Sequence, residues 1–147
     1  MLRFLVNSLE VTSVLKDSQH NFFLRIINVV LGGTLYQDLK TQTGTEITHS
    51  MDKPYDRTVH EVNILPDTPL AALYGPGPLA VNSRHHQGIK GLAPALHAQA
   101  VASDGLVEAV YLPEYRFVQA VQWHPEHRWQ AAESQSLLRS FVDACRG

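Results

Sequence analysis

Apolar residues run almost all round the stretch Phe22 to Leu31, FFLRIINVVL, before the chain meets Gly32 and Gly33. Such a run suits a buried helix or a buried strand. Its length and the two glycines, which tolerate positive φ, predict a helix that stops there. TLYQDL, residues 34–39, predicts a second short helical turn. The polar segment from Lys40 to Arg57, with Gly44, Pro54 and several threonines, predicts a surface loop. The hydrophobic period then changes. VHEVNIL (59–65) and PLAVNS (78–83) are short β-rich runs separated by DTPLAALYGPG, whose prolines and glycines mark turns. HAQAVA (97–102) and LVEAVYL (106–112) flank Ser103, Asp104 and Gly105, which predicts a hairpin, and FVQAVQW (117–123) predicts the next strand. Beyond Gln130, the spacing of Leu137, Leu138, Phe141 and Cys145 predicts an amphipathic helix docked on the sheet, with Cys145 as a packing residue on its apolar face. The class is therefore α/β with a hairpin-rich middle.

Composition narrows the partners more than the fold. A chain of 147 residues, 44% hydrophobic and 18% charged, without repeats or a Gly/Ser linker, fits one globular domain rather than a disordered segment. The net charge of −2, with Lys and Arg dispersed, leaves no basic patch to neutralise phosphates, so nucleic acid is not an expected partner. No apolar run approaches the roughly 20 residues that span a bilayer, and MLRFLVNSLEVTS lacks the apolar region and cleavage site of a signal peptide. The expectation is a cytoplasmic protein with no membrane partner. Cys145 is the only cysteine, which excludes an intrachain disulfide.

Chemistry concentrates after the 117–123 run, in VQWHPEH. An imidazole can serve as general base near neutral pH, and a carboxylate on its far nitrogen fixes the tautomer. His124 and Glu126, separated by Pro125 with its fixed φ, suit that pairing, although an ordinary polar turn at a strand end reads the same way. His85, His86 and the His124 to His127 segment raise a metal site, but no His-Glu-x-x-His or paired Cys-x-x-Cys pattern supports one. The remaining histidines at 20, 49, 60 and 97 stand singly, so neither metal nor cofactor is expected. VNSRHHQG (81–88) closes a predicted strand with small polar groups and imidazoles, either a ligand-facing loop or a plain turn. Gly32 and Gly33 follow a helix instead of opening one, so they do not present a helix N-terminus to phosphate.

INVVLGGTLYQDL, VHEV, VNSRHHQG, SDGLVEAV and VQWHPE, in this order, resemble the C-terminal part of the class I glutamine amidotransferase-like family. The resemblance is closest to the gamma-glutamyl-gamma-aminobutyrate hydrolases of the C26 peptidase group and spans about residues 24–143. It implies an incomplete flavodoxin-like three-layer α/β fold, its C-terminal half carrying β-hairpins and a final helix. It also implies a small gamma-glutamyl amide as substrate, attacked by a cysteine on a tight turn while a histidine takes the proton and a glutamate orients the histidine. Carried over by resemblance, His124 is the base and acid and Glu126 its orienter. Ser83, His85 and Gln87 line the glutamyl pocket.

The departure lies at the nucleophile. The family reads G-[IV]-C-R-G-x-Q before its L-N-V-x-L-G-G segment, which puts the cysteine at position 21. Here Asn21 occupies that place, Phe22 and Phe23 replace Arg-Gly, and Arg25 stands for the Gln. An amide has no ionisable proton to give up and is a poor nucleophile. Residues 1–23 match nothing in the family, which divides the chain into an unmatched N-terminal segment and a 24–147 amidotransferase-like part. The expectation is a truncated or frame-shifted family member, inactive alone, with an exposed sheet edge open to self-association. The alternative is a non-catalytic glutamyl-binding or regulatory partner subunit.

Overall fold

The computed structural model describes residues 20–146, with side chains from Phe23 onward. Helix α1 (His20–Val30) opens the described chain. Strand β1 (Thr34–Tyr36) and helix α2 (Leu39–Thr43) follow, then β2 (His60–Ile64), α3 (Pro69–Tyr74), β3 (Gly77–Val81) and β4 (Gly88–Gly91). The hairpin β5 (His97–Ala102) and β6 (Val107–Tyr111) leads to β7 (Gln119–Val121), a 3₁₀ turn (Pro125–Arg128) and the last helix, α4 (Ala132–Cys145).

Five strands form one sheet in the order β3-β2-β5-β6-β7, and β1 pairs with β4 in a small second sheet. Every pairing among the described strands is antiparallel. The sheet has an apolar cluster on each face, because consecutive β residues point to opposite sides. Ala109 belongs to the cluster formed with Leu70 of α3, Leu39 of α2 and Trp123, against which Leu137 of α4 packs. Its neighbour Val110 belongs to the other, with Leu24 of α1, Ile89 of β4 and Leu112. Helices thus cover both faces.

Two buried amides set the layers. Gln99, fully buried on β5, donates to the Val110 carbonyl and accepts from the Leu70 amide at 3.0 Å, so it supplies a partner to the start of α3. Thr68 caps the same helix through the Ala71 amide, with Pro69 in the first turn, where a missing N–H costs nothing. On the opposite face, buried Asn28 donates to the carbonyls of Thr34 and Gly91 and accepts from the Ala93 amide at 2.8 Å. That amide ties α1 to the β1–β4 pair. The double glycine divides the turn between two jobs. Gly32 adopts φ +96°, and a Cβ on Gly33 would collide with the Asn28 amide.

The strands at 60–64, 97–102 and 107–111 and the helices at both ends lie where the hydrophobic pattern predicts them. TLYQDL is different: Thr34 to Tyr36 is a strand, and the helix begins only at Leu39, capped by Asp38. Pairing with β4 decides that segment, and β4 itself, GIKG, is too rich in glycine to register as a strand from its pattern. DTPLAALYGPG contains helix α3 rather than turns alone. The Lys40–Arg57 segment is not wholly surface, since His49 and Met51 are buried. Cys145 is exposed on α4, not packed on its apolar side. No helix of the described residues is long and apolar enough to cross a membrane.

Asn28 offers a direct test of how the layers hold together. Asn28→Ala removes a partner from the buried Ala93 amide and from the Thr34 and Gly91 carbonyls, and is expected to lower the unfolding free energy by about 1–3 kcal/mol for each group left unpaired where water cannot reach. A urea melt is the measurement. An unchanged midpoint would mean that α1 is held by its apolar contacts alone.

Candidate functional site

The β7 strand delivers its chemistry through a short rigid lead. Beyond Val121, the Gln122 amide still pairs with the Glu108 carbonyl at 2.7 Å, and Trp123 is buried in the core. His124 is then held at both backbone polar groups by one side chain. Its N–H donates to Asn82 Oδ1 at 3.0 Å and its carbonyl accepts from Asn82 Nδ2 at 2.8 Å. The second Asn82 N–H donates to the Tyr55 carbonyl, so this buried amide uses both of its N–H groups and its oxygen. Asn82, the residue after β3, thus bonds the His124 backbone with its side chain, although β3 and β7 lie at opposite edges of the sheet.

Pro125 opens the 3₁₀ turn, and the turn brings Glu126 back under the preceding ring. Glu126 Oε1 lies 2.6 Å from His124 Nδ1, a short contact of the charge-assisted kind. An ionised carboxylate only accepts, so Nδ1 carries the proton and Nε2 is the basic nitrogen. His124 is buried, whereas the Glu126 side chain keeps about a third of its surface exposed, 31%. His127 stacks near His124 with ring centroids 5.4 Å apart, and Tyr55 lies beyond it at 5.2 Å. The expected pair is thus brought together.

The other expected site residues are placed differently. Ser83 is buried and spends its hydroxyl on the His49 carbonyl at 2.7 Å. The neighbouring backbone is knitted to the same segment through His85 N to His49 O and Met51 N to Ser83 O. Gln87 is held between Arg25, which donates to its Oε1 at 2.8 Å, and Gln37, which accepts from its Nε2. Arg25 lies on α1 four residues after Asn21, so the two positions share a helix face. The backbone of Asn21 is in the first turn of α1, and its side chain and that of Phe22 lie outside the described residues, as do residues 1–19.

His85 points into a buried cluster that the sequence pattern does not reveal. Glu108, with no exposed surface, has one carboxylate oxygen 3.0 Å from His49 Nδ1, 2.9 Å from His60 Nε2 and 3.8 Å from His85 Nε2. Asp104 reaches the far side of His49 at 2.8 Å. Burial opposes ionisation of Glu108, yet the imidazoles of His49 and His60 outweigh it and hold the carboxyl down at about 2. Burial pushes His85 down to about 4, against the pull of Glu108, so it is neutral near pH 7. For His49 burial is again opposed, and the Glu108 and Asp104 carboxylates raise it. Asn82 and, apart from His85, the members of this cluster are the residues that pattern reading misses. Asn82 sits inside the VNS segment, but nothing in the segment shows that its amide faces position 124.

Against known proteins, the chain matches the peptidase C26 family over residues 24–126. It is 43% identical to protein NtpR of Enterococcus hirae over 122 residues, 81% of this chain and 51% of that protein. It is 35% identical to the gamma-glutamyl-gamma-aminobutyrate hydrolase PuuD of Escherichia coli over 131 residues, 84% of this chain and 51% of that one. The chain spans about half the length of these relatives. Among solved structures, a putative GMP synthase subunit of Thermoplasma acidophilum superposes with a TM-score of 0.58 at 17% identity, over 82% of this chain and 52% of that one. The glutaminase domain of Trypanosoma brucei CTPS gives 0.51 at 20% identity, over 82% and 56%. These two show the mixed α/β fold of glutaminase domains. With the family match extending from the α1 helix through the His124–Glu126 pair, the chain belongs to the peptidase C26, class I glutamine amidotransferase-like family.

Proposed function

We propose that this chain carries the base, its orienter and one wall of a gamma-glutamyl amide site, and that by itself it does not turn over substrate. The His124–Glu126 pair at 2.6 Å supports the first half. Asn21 at the nucleophile's position supports the second. PuuD is by name a gamma-glutamyl-gamma-aminobutyrate hydrolase, and a gamma-glutamyl amide is the substrate class this reading assigns.

In such a site Nε2 of His124 would take a proton from a nucleophile and return it to the departing amine, while Glu126 stabilises the imidazolium. The chain offers no thiol for that exchange. Its single cysteine is exposed at the far end of α4, a helix of 14 residues or ~21 Å at 1.5 Å per residue. The loop from Asn82 to Gln87 begins on His124 and forms the glutamyl-facing wall. Ser83 and His85 shape that loop from beneath, and Gln87, fixed by Arg25 and Gln37, presents it to ligand. The outer strands of the sheet, β3 and β7, are where a second copy or a complementary chain would add.

Incubated with gamma-glutamyl-p-nitroanilide, the purified chain is expected to release no nitroaniline above the buffer rate, since loss of a nucleophile costs several orders of magnitude. Release that disappears in His124→Ala would overturn the inactivity. Glutamate binding by calorimetry without turnover, weakened in Gln87→Ala, would assign the chain a binding role instead.

The pairing itself has a spectroscopic check that needs no turnover. With ¹⁵N-labelled histidine, His124 is expected to give a low-field Nδ1–H signal typical of a proton shared with a carboxylate. Glu126→Ala should abolish it while the remaining histidine signals stay in place. Persistence of the signal would place the Nδ1 proton on another acceptor.

A further inference from the structure

The buried cluster around Glu108 is not used by the His124 chemistry. Its proton arrangement points to a missing positive charge. His85 Nδ1 lies 2.9 Å from the Gln87 carbonyl, which can only accept, so the proton sits on Nδ1. Its Nε2 is then a bare lone pair, buried, with no hydrogen-bond donor among the described residues. His49 repeats the pattern. Its Nε2 lies 2.8 Å from the Asp104 carboxylate and carries the proton, which leaves Nδ1 facing Glu108 at 3.0 Å without the alignment of a hydrogen bond. His60 Nε2 donates to Glu108 Oε1, and Glu108 Oε2 has no hydrogen-bond partner among the described residues. Two imidazole lone pairs and a carboxylate therefore converge on one point.

We propose that His49 Nδ1, His85 Nε2 and Glu108 bind a divalent transition-metal ion of the zinc class, which clamps the 44–59 segment and the Ser83–Gln87 loop to strand β6. The three ligand atoms lie within 4.8 Å of one another. Donors about 2.1 Å from a tetrahedral zinc are separated by about 3.4 Å, and the two distances to Glu108 Oε1, 3.0 and 3.8 Å, bracket that value. The outer partners also fit. A ligating imidazole is held by a carboxylate or carbonyl on its other nitrogen, as His49 is by Asp104 and His85 by Gln87 O, and a ligating carboxylate is itself hydrogen-bonded, as Glu108 is by His60. All three ligands are buried, which suits a closed, structural site better than an open catalytic one.

The competing occupant is a second proton on His49, which would neutralise the same field. It cannot serve His85, whose Nε2 stands 3.8 Å from the carboxylate, beyond hydrogen-bond reach, and whose own proton is held on Nδ1 by the Gln87 carbonyl. A dication satisfies both lone pairs at once. Sequence pattern hides this set because its ligands are drawn from the 44–59 segment, the loop after β3 and the strand β6, with no local spacing to betray them.

The test uses the whole chain, stripped with a chelator and titrated with zinc by calorimetry, with bound metal counted by mass spectrometry after desalting. One equivalent is expected. His85→Phe should weaken binding by more than about 100-fold, since loss of even an outer partner costs about 10–100-fold, and Asp104→Asn should fall in that outer range. Circular dichroism checks that each variant is folded. Because His124, Glu126 and His127 form the other cluster of ligand type among the described residues, His127→Ala is the control that does not depend on the buried site. Full binding in His127→Ala supports the assignment even where His85→Phe fails to fold. Loss of the ion in His127→Ala with retention in His85→Phe would overturn it, as would a folded, chelator-treated chain that takes up no zinc.

Discussion

A carboxylate with no access to water has to be surrounded by positive charge or donors, and Glu108 imposes that demand on the middle of this fold. It sits on β6, between β5 and β7, and three histidines from three other segments come to meet it. One is His60, on β2. The others are His49 and His85, and their arrival explains the backbone weave between residues 49–51 and 83–85, where two loops bond to each other as strands would. The loop that carries Gln87 toward the candidate pocket owes its shape to a buried charge, not to turn-forming residues. Replacing that charge by an apolar residue would remove the reason for two loops to be where they are.

From this centre the chain reaches His124 along two routes. Strand pairing runs from Glu108 to Gln122 through the 2.7 Å backbone bond, and the loop beginning at Asn82 returns to grip His124 from the other side. The imidazole is consequently fixed at its backbone by the residue that follows β3 and at its ring by Glu126, while Trp123 anchors it in the core. Three contacts of different kinds constrain one side chain, which is how a group is held within the few tenths of an ångström that proton transfer demands.

How much of this is legible in the residues depends on the range of the interaction. Local signals read well: the apolar run of α1 with its glycine stop, the Asp104-Gly105 turn, where Gly105 takes φ +85°, and the His-Pro-Glu order that puts imidazole and carboxylate two residues apart. Segments whose state is decided by a distant partner read badly. Thr34 to Tyr36 are extended because β4 is there to pair with them, and GIKG is a strand for the same reason. His49 lies in a stretch of threonines and acids that any composition rule sends to the surface, yet it is buried because Glu108 draws it in. Cys145 errs the other way, since the α4 stripe meets the core at Leu137 and has left it by the last turn.

The same reasoning separates the form of the candidate site from its activity. Among the described residues, what holds His124 and Glu126 in register is Asn82, Trp123, Pro125 and the ladder to β6. The contacts on Asn82, Trp123 and β6 are those of the fold, so the form of the pair is set by folding. Differential stabilisation of a transition state needs both partners of the proton exchange. A well-formed His–Glu pair is a statement about Asn82, β6 and β7, and the proposed chemistry turns on whether a thiol from any source is brought to Nε2.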